Sequence, residues 1–301
     1  MSDETIDCVI VGAGPAGLTA GNYLCRFHRS VAIFDDGHSR AKRIPRSHNY
    51  PGFPEGVTGP ALLARMREQL DAVRGEVQTA RVTHMRRDNG LFRVETVRQS
   101  LRTRTVLIAS GVSDKDPAID GIDELRSHGL LRECPICDGF EFSDRKIAVV
   151  GAGPHGMREA LFLRDYSGTI TFIAAHGGND IPAECREQML GRGIECIDIA
   201  PTRVARTNDG TVAVTLRDGR EQRFDVMYAA LGCVPHSQLA ADIGAAVDEN
   251  GNIVVDAHCR TSAQGVYAAG DVVVGLDQLS VAVGHAAIAA TAIHNDLRQH
   301  R

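Results

Sequence analysis

Ile6-Asp7-Cys8-Val9-Ile10-Val11-Gly12-Ala13-Gly14-Pro15-Ala16-Gly17 decides how this chain folds. A short, largely apolar run of strand length passes directly into three glycines spaced G-x-G-x-x-G, and helical spacing follows in Leu18, Tyr23, Leu24 and Phe27. A second strand, Val31-Ala32-Ile33-Phe34, then ends at Asp35, 23 residues after Gly12. Strand, glycine loop, helix, strand and acid make up the βαβ unit that holds a dinucleotide. The first glycine allows the tight turn, the second lets backbone approach a pyrophosphate, and the third lets helix pack on strand. The helix N-terminus offers free N–H groups and a positive dipole end to phosphates. Asp35 stands where it can accept hydrogen bonds from a ribose.

Working outward, the same unit recurs. Lys146-Ile147-Ala148-Val149-Val150 reads as a strand and runs into Gly151-Ala152-Gly153-Pro154-His155-Gly156. A helix (Leu161, Phe162, Leu163) and a strand (Thr169 to Ala174) follow, a repeat offset by 139 residues without a gap. Strand-like stretches lie between and after the two units: Val77 to His84, Leu91 to Val97 beyond an Asp88-Asn89-Gly90 turn, Thr103 to Ala109, Val212 to Leu216, and Asp225 to Leu231. Thr58 is predicted to cap a helix carrying Leu62, Leu63, Met66 and Leu70. The stretch from Gly37 to Pro60, with His38, Arg40, Lys42, Arg43 and Arg46, reads as a solvated loop. Thr261 to Asp271 reads as a strand that returns to the first domain, and a helix from about Ser280 to Leu297 closes the chain. An acid just after a strand, with a helix N-terminus beyond it, suits the flavin side of a dinucleotide.

Composition narrows the function classes. Hydrophobic residues make up 43% and charged residues 24% of 301, an ordinary globular balance. A net charge of −5 gives no general electrostatic reason to bind nucleic acid or an anionic membrane. No apolar run approaches the ~20 residues needed to span a bilayer. The acidic Met1-Ser2-Asp3-Glu4 does not read as a signal peptide, and the expectation is a cytoplasmic protein.

In a reducing compartment the eight cysteines are not a disulfide framework. Six stand alone (Cys8, Cys25, Cys185, Cys196, Cys233, Cys259), and Cys8, Cys25 and Cys233 read as small buried hydrophobes. Only Cys134-Pro135-Ile136-Cys137-Asp138 brings two together. Such a pair can close a small disulfide or ligate a metal. A structural zinc site needs about four ligands and there is no second pair, so zinc is the weaker reading.

These residues resemble the low-molecular-weight thioredoxin reductases among the pyridine nucleotide–disulfide oxidoreductases. The resemblance rests on Gly12 to Gly17, Asn49-Tyr50-Pro51-Gly52, Cys134-Pro135-Ile136-Cys137-Asp138-Gly139, Gly151 to Gly156, Thr261 to Asp271, and Gln278, in the family's order over nearly the whole chain. It implies an α/β homodimer of two Rossmann-like domains of three-layer ββα build. The FAD domain would be discontinuous (1–114 and 245–301), with the second domain (115–244) inserted and carrying the cysteine pair. Cys134 and Cys137 match the redox-active pair and Asp138 the acid that serves it. Gly12, Gly14, Pro15, Ala16 and Asp35 match the ADP end of FAD. Asn49, Gly111, Gly270, Asp271, Gln278 and Leu279 match the rest of the cofactor site. No metal is implied.

The second nucleotide site departs from that family. Ala174 stands opposite Asp35 in the repeat, so the ribose-binding acid is missing. Family members that use NADPH carry His-Arg-Arg just beyond this strand; here the stretch is His176-Gly177-Gly178-Asn179. His155 replaces the small residue opposite it, Ala16, and crowds the phosphate approach. Each lost arginine–phosphate contact is worth roughly 1.5–3 kcal/mol. The expectation is therefore an FAD-dependent disulfide oxidoreductase that passes electrons through Cys134 and Cys137 to thioredoxin or a thioredoxin-like protein. Its reductant would not be NADPH but another donor, such as reduced ferredoxin, a second flavoprotein or a dithiol. A dithiol oxidase running the same path toward oxygen, and a flavin-based redox sensor, are the alternatives. His285, near the flavin end of the last helix, reads as a helix histidine satisfied within the fold.

Overall fold

The computed structural model describes residues 5–299, apart from the Asn179 side chain, so the Met1-Ser2-Asp3-Glu4 segment lies outside the described residues. The chain divides into two compact units: residues Met1–Ser113 with Val234–Arg301, and Asp114–Cys233. The return to the first unit therefore comes at Val234 rather than at 245. The reason is packing: Ala240, on a helical turn Gln238–Ala241, and Ala245 are buried in one apolar cluster with Val9, Phe34 and Val106 of the first unit's sheet.

In the first unit the opening strand (Thr5–Val11) lies between Val31–Asp35 and Ser100–Ile108, parallel to both. Val77–Thr79 extends the parallel sheet on one side, and Val266–Ala268 pairs with the last residues of Ser100–Ile108 on the other. Earlier residues of that long strand pair antiparallel with Leu91–Thr96, which pairs in turn with Val82–Asp88. One strand thus belongs to both a parallel core and an antiparallel meander.

Side-chain alternation separates the two faces, as a period of two requires. Cys8 and Ile10 point to the helices Pro15–Arg26, Gly59–Asp71 and Leu279–Gln299. Val9 and Val11 point to the meander residues Val82, Met85, Phe92 and Val94. This is the expected three-layer ββα arrangement. Thr58 caps Gly59–Asp71, its Oγ1 accepting from Ala61 N at 3.3 Å. Asn89 and Gly90 adopt positive φ at the tip of the meander hairpin.

The second unit repeats the plan. Its parallel sheet has the order Glu195–Ile197, Thr169–Ala174, Lys146–Gly151, Val226–Ala230, Leu131–Arg132. The helices Gly153–Leu163 and Ala183–Gly191 cover one face. A three-stranded antiparallel sheet, Pro201–Arg206, Val212–Leu216 and Glu221–Phe224, covers the other.

Three expectations change in detail. Only Val266–Ala268 of the stretch from Thr261 to Asp271 is a strand, the preceding residues being tied in turns through Thr261 Oγ1. The last helix is longer than expected, Leu279–Gln299. The stretch from Gly37 to Pro60 is not simply a loop: Arg40–Arg43 forms a 3₁₀ turn, and Ser47 and Val57 bridge across it.

Candidate active site

The cradle in the first unit is built by close backbone approach. Gly12 has φ +100°, and a Cβ there would lie 2.3 Å from the Ala109 carbonyl oxygen. A Cβ on Gly17 would lie 1.8 Å from the Gly12 oxygen, so the helix Pro15–Arg26 can begin only against a glycine. Gly14 caps that helix with no side-chain hydrogen bond, and Pro15 occupies the position where no N–H is needed. Asp35 Oδ1 accepts from Ala13 N at 3.3 Å, which fixes the carboxylate beside the loop.

The C-terminal residues of this unit join the same place. Gly270 has φ +82°, and a Cβ on it would be 3.0 Å from the Ala16 Cβ. Asn49 Nδ2 donates to Gln278 Oε1 at 2.9 Å, bringing together two residues expected at the site from 229 positions apart. Leu279 opens the last helix directly after Gln278, and Gly111 holds φ +65° with open space around it.

Two features here differ from expectation. Arg40 is not a solvated loop residue: its Nη1 donates to Asp271 Oδ2 at 3.0 Å and lies 3.7 Å from Asp277 Oδ2. His285 is not satisfied within the fold. Its Nδ1 is buried with no hydrogen-bond partner, and burial lowers the pKa of the ring. Tight backbone packing at Gly12 and Gly17, and an orphaned imidazole nitrogen near the start of the last helix, fit an FAD site.

Cys134 and Cys137 form a disulfide in the second unit, with Cα atoms 5.3 Å apart. Cys134 caps a single helical turn, Pro135–Asp138, and its carbonyl accepts from Cys137 N at 3.0 Å. Asp138 is buried, 7% exposed. Its Oδ1 accepts from the Tyr228 hydroxyl at 2.7 Å, and Arg132 Nη1 lies 3.3 Å from Oδ2. Burial raises the carboxyl's pKa; the Tyr228 hydrogen bond and the Arg132 charge pull it down, Glu141 pushes it up, and the net direction is upward. Tyr228 is fully buried, and its pKa is raised by burial and by the Asp138 charge. Neither partner of Asp138 was marked by the sequence: Tyr228 sits in an apolar run, and Arg132 precedes the cysteine motif without a spacing signal.

Of the other cysteines, Cys8, Cys185 and Cys259 are buried. Burial pushes Cys8 up to about 12 and Cys259 up to about 11. Cys25 and Cys233 are half-buried rather than enclosed. Among the described residues no group of histidines, cysteines and carboxylates could hold a metal ion.

Around the second glycine loop, two histidines and an arginine each face a carboxylate. His155 Nε2 is 2.9 Å from Glu159 Oε1, and the ring lies 3.8 Å from where a Cβ on Gly232 would stand. His176 Nδ1 is 2.9 Å from Asp180 Oδ2, and Arg186 pairs with Asp198.

The Pyridine nucleotide-disulphide oxidoreductase family profile matches residues 6–286. This chain belongs to that family. It is 31% identical over 283 residues to a thioredoxin reductase of Mycolicibacterium smegmatis, covering 90% of each chain. It is 29% identical to that of Bacillus subtilis (strain 168), covering 98% of this chain and 96% of the relative. The solved thioredoxin reductase of Streptococcus pyogenes MGAS5005 superposes with a TM-score of 0.90 at 28% identity, over 99% of this chain and 100% of that one. The protein is a thioredoxin reductase-like flavin oxidoreductase. Among the described residues no helix is long and apolar enough to cross a membrane.

Proposed function

We propose that the enzyme passes electrons through Cys134 and Cys137 to the disulfide of thioredoxin or a thioredoxin-like protein, as a homodimer, and draws them from a donor other than NADPH. The observation that carries the disulfide chemistry is the closed Cys134–Cys137 bond with a buried carboxyl on the very next residue. FAD, when bound, supplies the electron pair, and Gly12, Gly14, Pro15, Ala16, Asp35, Asn49, Gly111, Gly270, Asp271, Gln278 and Leu279 are the residues that would hold it. Asp138 holds the proton for the cysteine thiolate that forms when the disulfide opens. Ile136 and Phe140, apolar and exposed on either side of Cys137, give a protein substrate a surface to meet.

The doubt about NADPH is supported by charge. The loop that would grip a 2′-phosphate lacks both arginines, and His155, His176 and Arg186 already face Glu159, Asp180 and Asp198. Reduced ferredoxin, another flavoprotein or a dithiol fits a site with no phosphate handle.

Anaerobic photoreduction of the flavin followed by oxidised thioredoxin tests this reading. Flavin reoxidation with two new thiols per thioredoxin disulfide, without any pyridine nucleotide, is expected. A flavin that stays reduced sinks the reductase reading. The same neutralised loop also suits a dithiol oxidase. Oxygen uptake with a dithiol as sole reductant would favour that direction.

A further inference from the structure

Asp138 is buried beside the disulfide, and both of its carboxyl oxygens are addressed. The Tyr228 hydroxyl donates to Oδ1 at 2.7 Å, and the Arg132 guanidinium lies 3.3 Å from Oδ2. Both groups come from the parallel sheet: Tyr228 lies on Val226–Ala230, Arg132 on the edge strand Leu131–Arg132, and the two residues are paired in register. Arg132 is itself held, with its guanidinium 5.1 Å from the centre of the Phe142 ring, and Phe142 meets the Tyr228 ring edge-on at 6.3 Å. Of the charged groups acting on Asp138, Arg132 favours the carboxylate and Glu141 opposes it.

We propose that Tyr228 and Arg132 are positioning residues for the proton donor Asp138, fixing the carboxyl of the residue that follows Cys137 and stabilising the carboxylate left when the proton has gone. This rests on the reading of Cys134–Cys137 as the working disulfide. An incoming thiolate attacks one sulfur of the pair. A new S–S bond forms as the old one breaks, and the displaced cysteine leaves as a thiolate. The Asp138 proton then moves to that thiolate. One disulfide is exchanged for another, so nothing is oxidised or reduced overall, and the negative charge of the attacking sulfur ends on Asp138. Hydrogen bonds and charge that favour a carboxylate are stronger after the transfer than before it, which is the condition for helping the step. An apolar site with no such partners would hold the proton too tightly.

The test uses the holoenzyme and dithiothreitol as the attacking dithiol. The rate of Cys134–Cys137 reduction is followed by quenching and alkylation, from about pH 5 to 9, and divided by the dithiothreitol thiolate concentration. The wild-type profile should fall at high pH as Asp138 loses its proton, and Asp138→Asn should be slower with no such fall. Tyr228→Phe keeps the ring and removes only the hydroxyl. With it, and with Arg132→Gln, the fall should move up by about one to two pH units, because each loses a group that favours the carboxylate. Arg132→Lys, which keeps the charge, should stay nearer the wild type. Profiles for Tyr228→Phe and Arg132→Gln that coincide with wild type, while Asp138→Asn loses the fall, would overturn the proposal and leave the functional reading standing. If Asp138→Asn matches wild type, Asp138 is not the donor and both fall together.

Discussion

The second glycine loop gives a quantitative expectation for NADPH. Two arginine–phosphate contacts at roughly 1.5–3 kcal/mol each amount to about 3–6 kcal/mol. At about 1.4 kcal/mol per tenfold, their loss weakens binding by roughly a hundredfold to ten-thousand-fold. Restoring them is constrained by backbone. Gly178 has φ +65° with nothing within 4 Å of a built Cβ, so Gly178→Arg fits sterically. At that φ it costs the fold roughly 1–2 kcal/mol, while one regained contact of roughly 1.5–3 kcal/mol strengthens binding by roughly tenfold to a hundredfold. Gly177→Arg fails: at φ +80° its Cβ would lie 3.1 Å from both Ala200 N and the Asp198 carbonyl oxygen. Adding His155→Ala to Gly178→Arg removes the ring that Glu159 holds beside Gly232. Anaerobic titration of the oxidised enzyme, read by loss of flavin absorbance, should rank the double variant above Gly178→Arg and both above wild type. Rapid stoichiometric bleaching of wild type at micromolar NADPH would refute the reasoning outright.

Cys134→Ser and Cys137→Ser should each abolish reoxidation of the photoreduced flavin by oxidised thioredoxin while flavin content stays at the wild-type level. Asp138→Asn should slow the same reaction by about 10²–10⁴-fold, the usual span for a positioned proton donor, again with full flavin content. Gly17→Ala places a methyl 1.8 Å from the Gly12 carbonyl oxygen and should yield protein that has lost bound FAD by absorbance; a variant with full flavin content would discredit the cradle. Thr58→Ala removes the cap on Gly59–Asp71 and should cost about 1 kcal/mol in denaturant unfolding of the first unit, with disulfide exchange unchanged.

The glycine loops were legible because their chemistry is local. A turn at φ +100° and a helix start that tolerates no Cβ demand glycine wherever the rest of the chain goes. The strands of the two sheets were legible for the same reason, each being a short apolar run bounded by turn residues. The helix Ala183–Gly191 was not, since it buries only Cys185 and Met189 and carries no apolar stripe. The inserted unit's true end was hidden in the small alanines at 240 and 245, which say nothing about which sheet they cover. Within the site, what stayed hidden was pairing across long separations. Arg40 meets Asp271 over 231 positions, and Tyr228 meets Asp138 over 90. A tyrosine inside Val226–Ala230 reads as core, and it is core; only the fold puts its hydroxyl against a carboxyl.

On the proposed reading, the repeat lets one architecture serve two purposes. In the first copy the glycine loop faces an acid, Asp35, whose carboxylate accepts from the loop's own Ala13 N. In the second, Ala174 stands where the acid would be, and His155, His176 and Arg186 are each met by a carboxylate. On the proposed reading, a phosphate near His155, His176 or Arg186 competes with Glu159, Asp180 or Asp198, which weakens the attraction that normally favours a nucleotide. Yet the strand bordering that loop has a second task. Tyr228 on Val226–Ala230 holds Asp138, and Gly232, just past the strand's end, lies against His155. The sheet that carries this loop also fixes Asp138, the proposed proton donor of the disulfide. On the proposed reading, disulfide exchange alone would require this sheet to stay intact, with or without a nucleotide at its glycine loop.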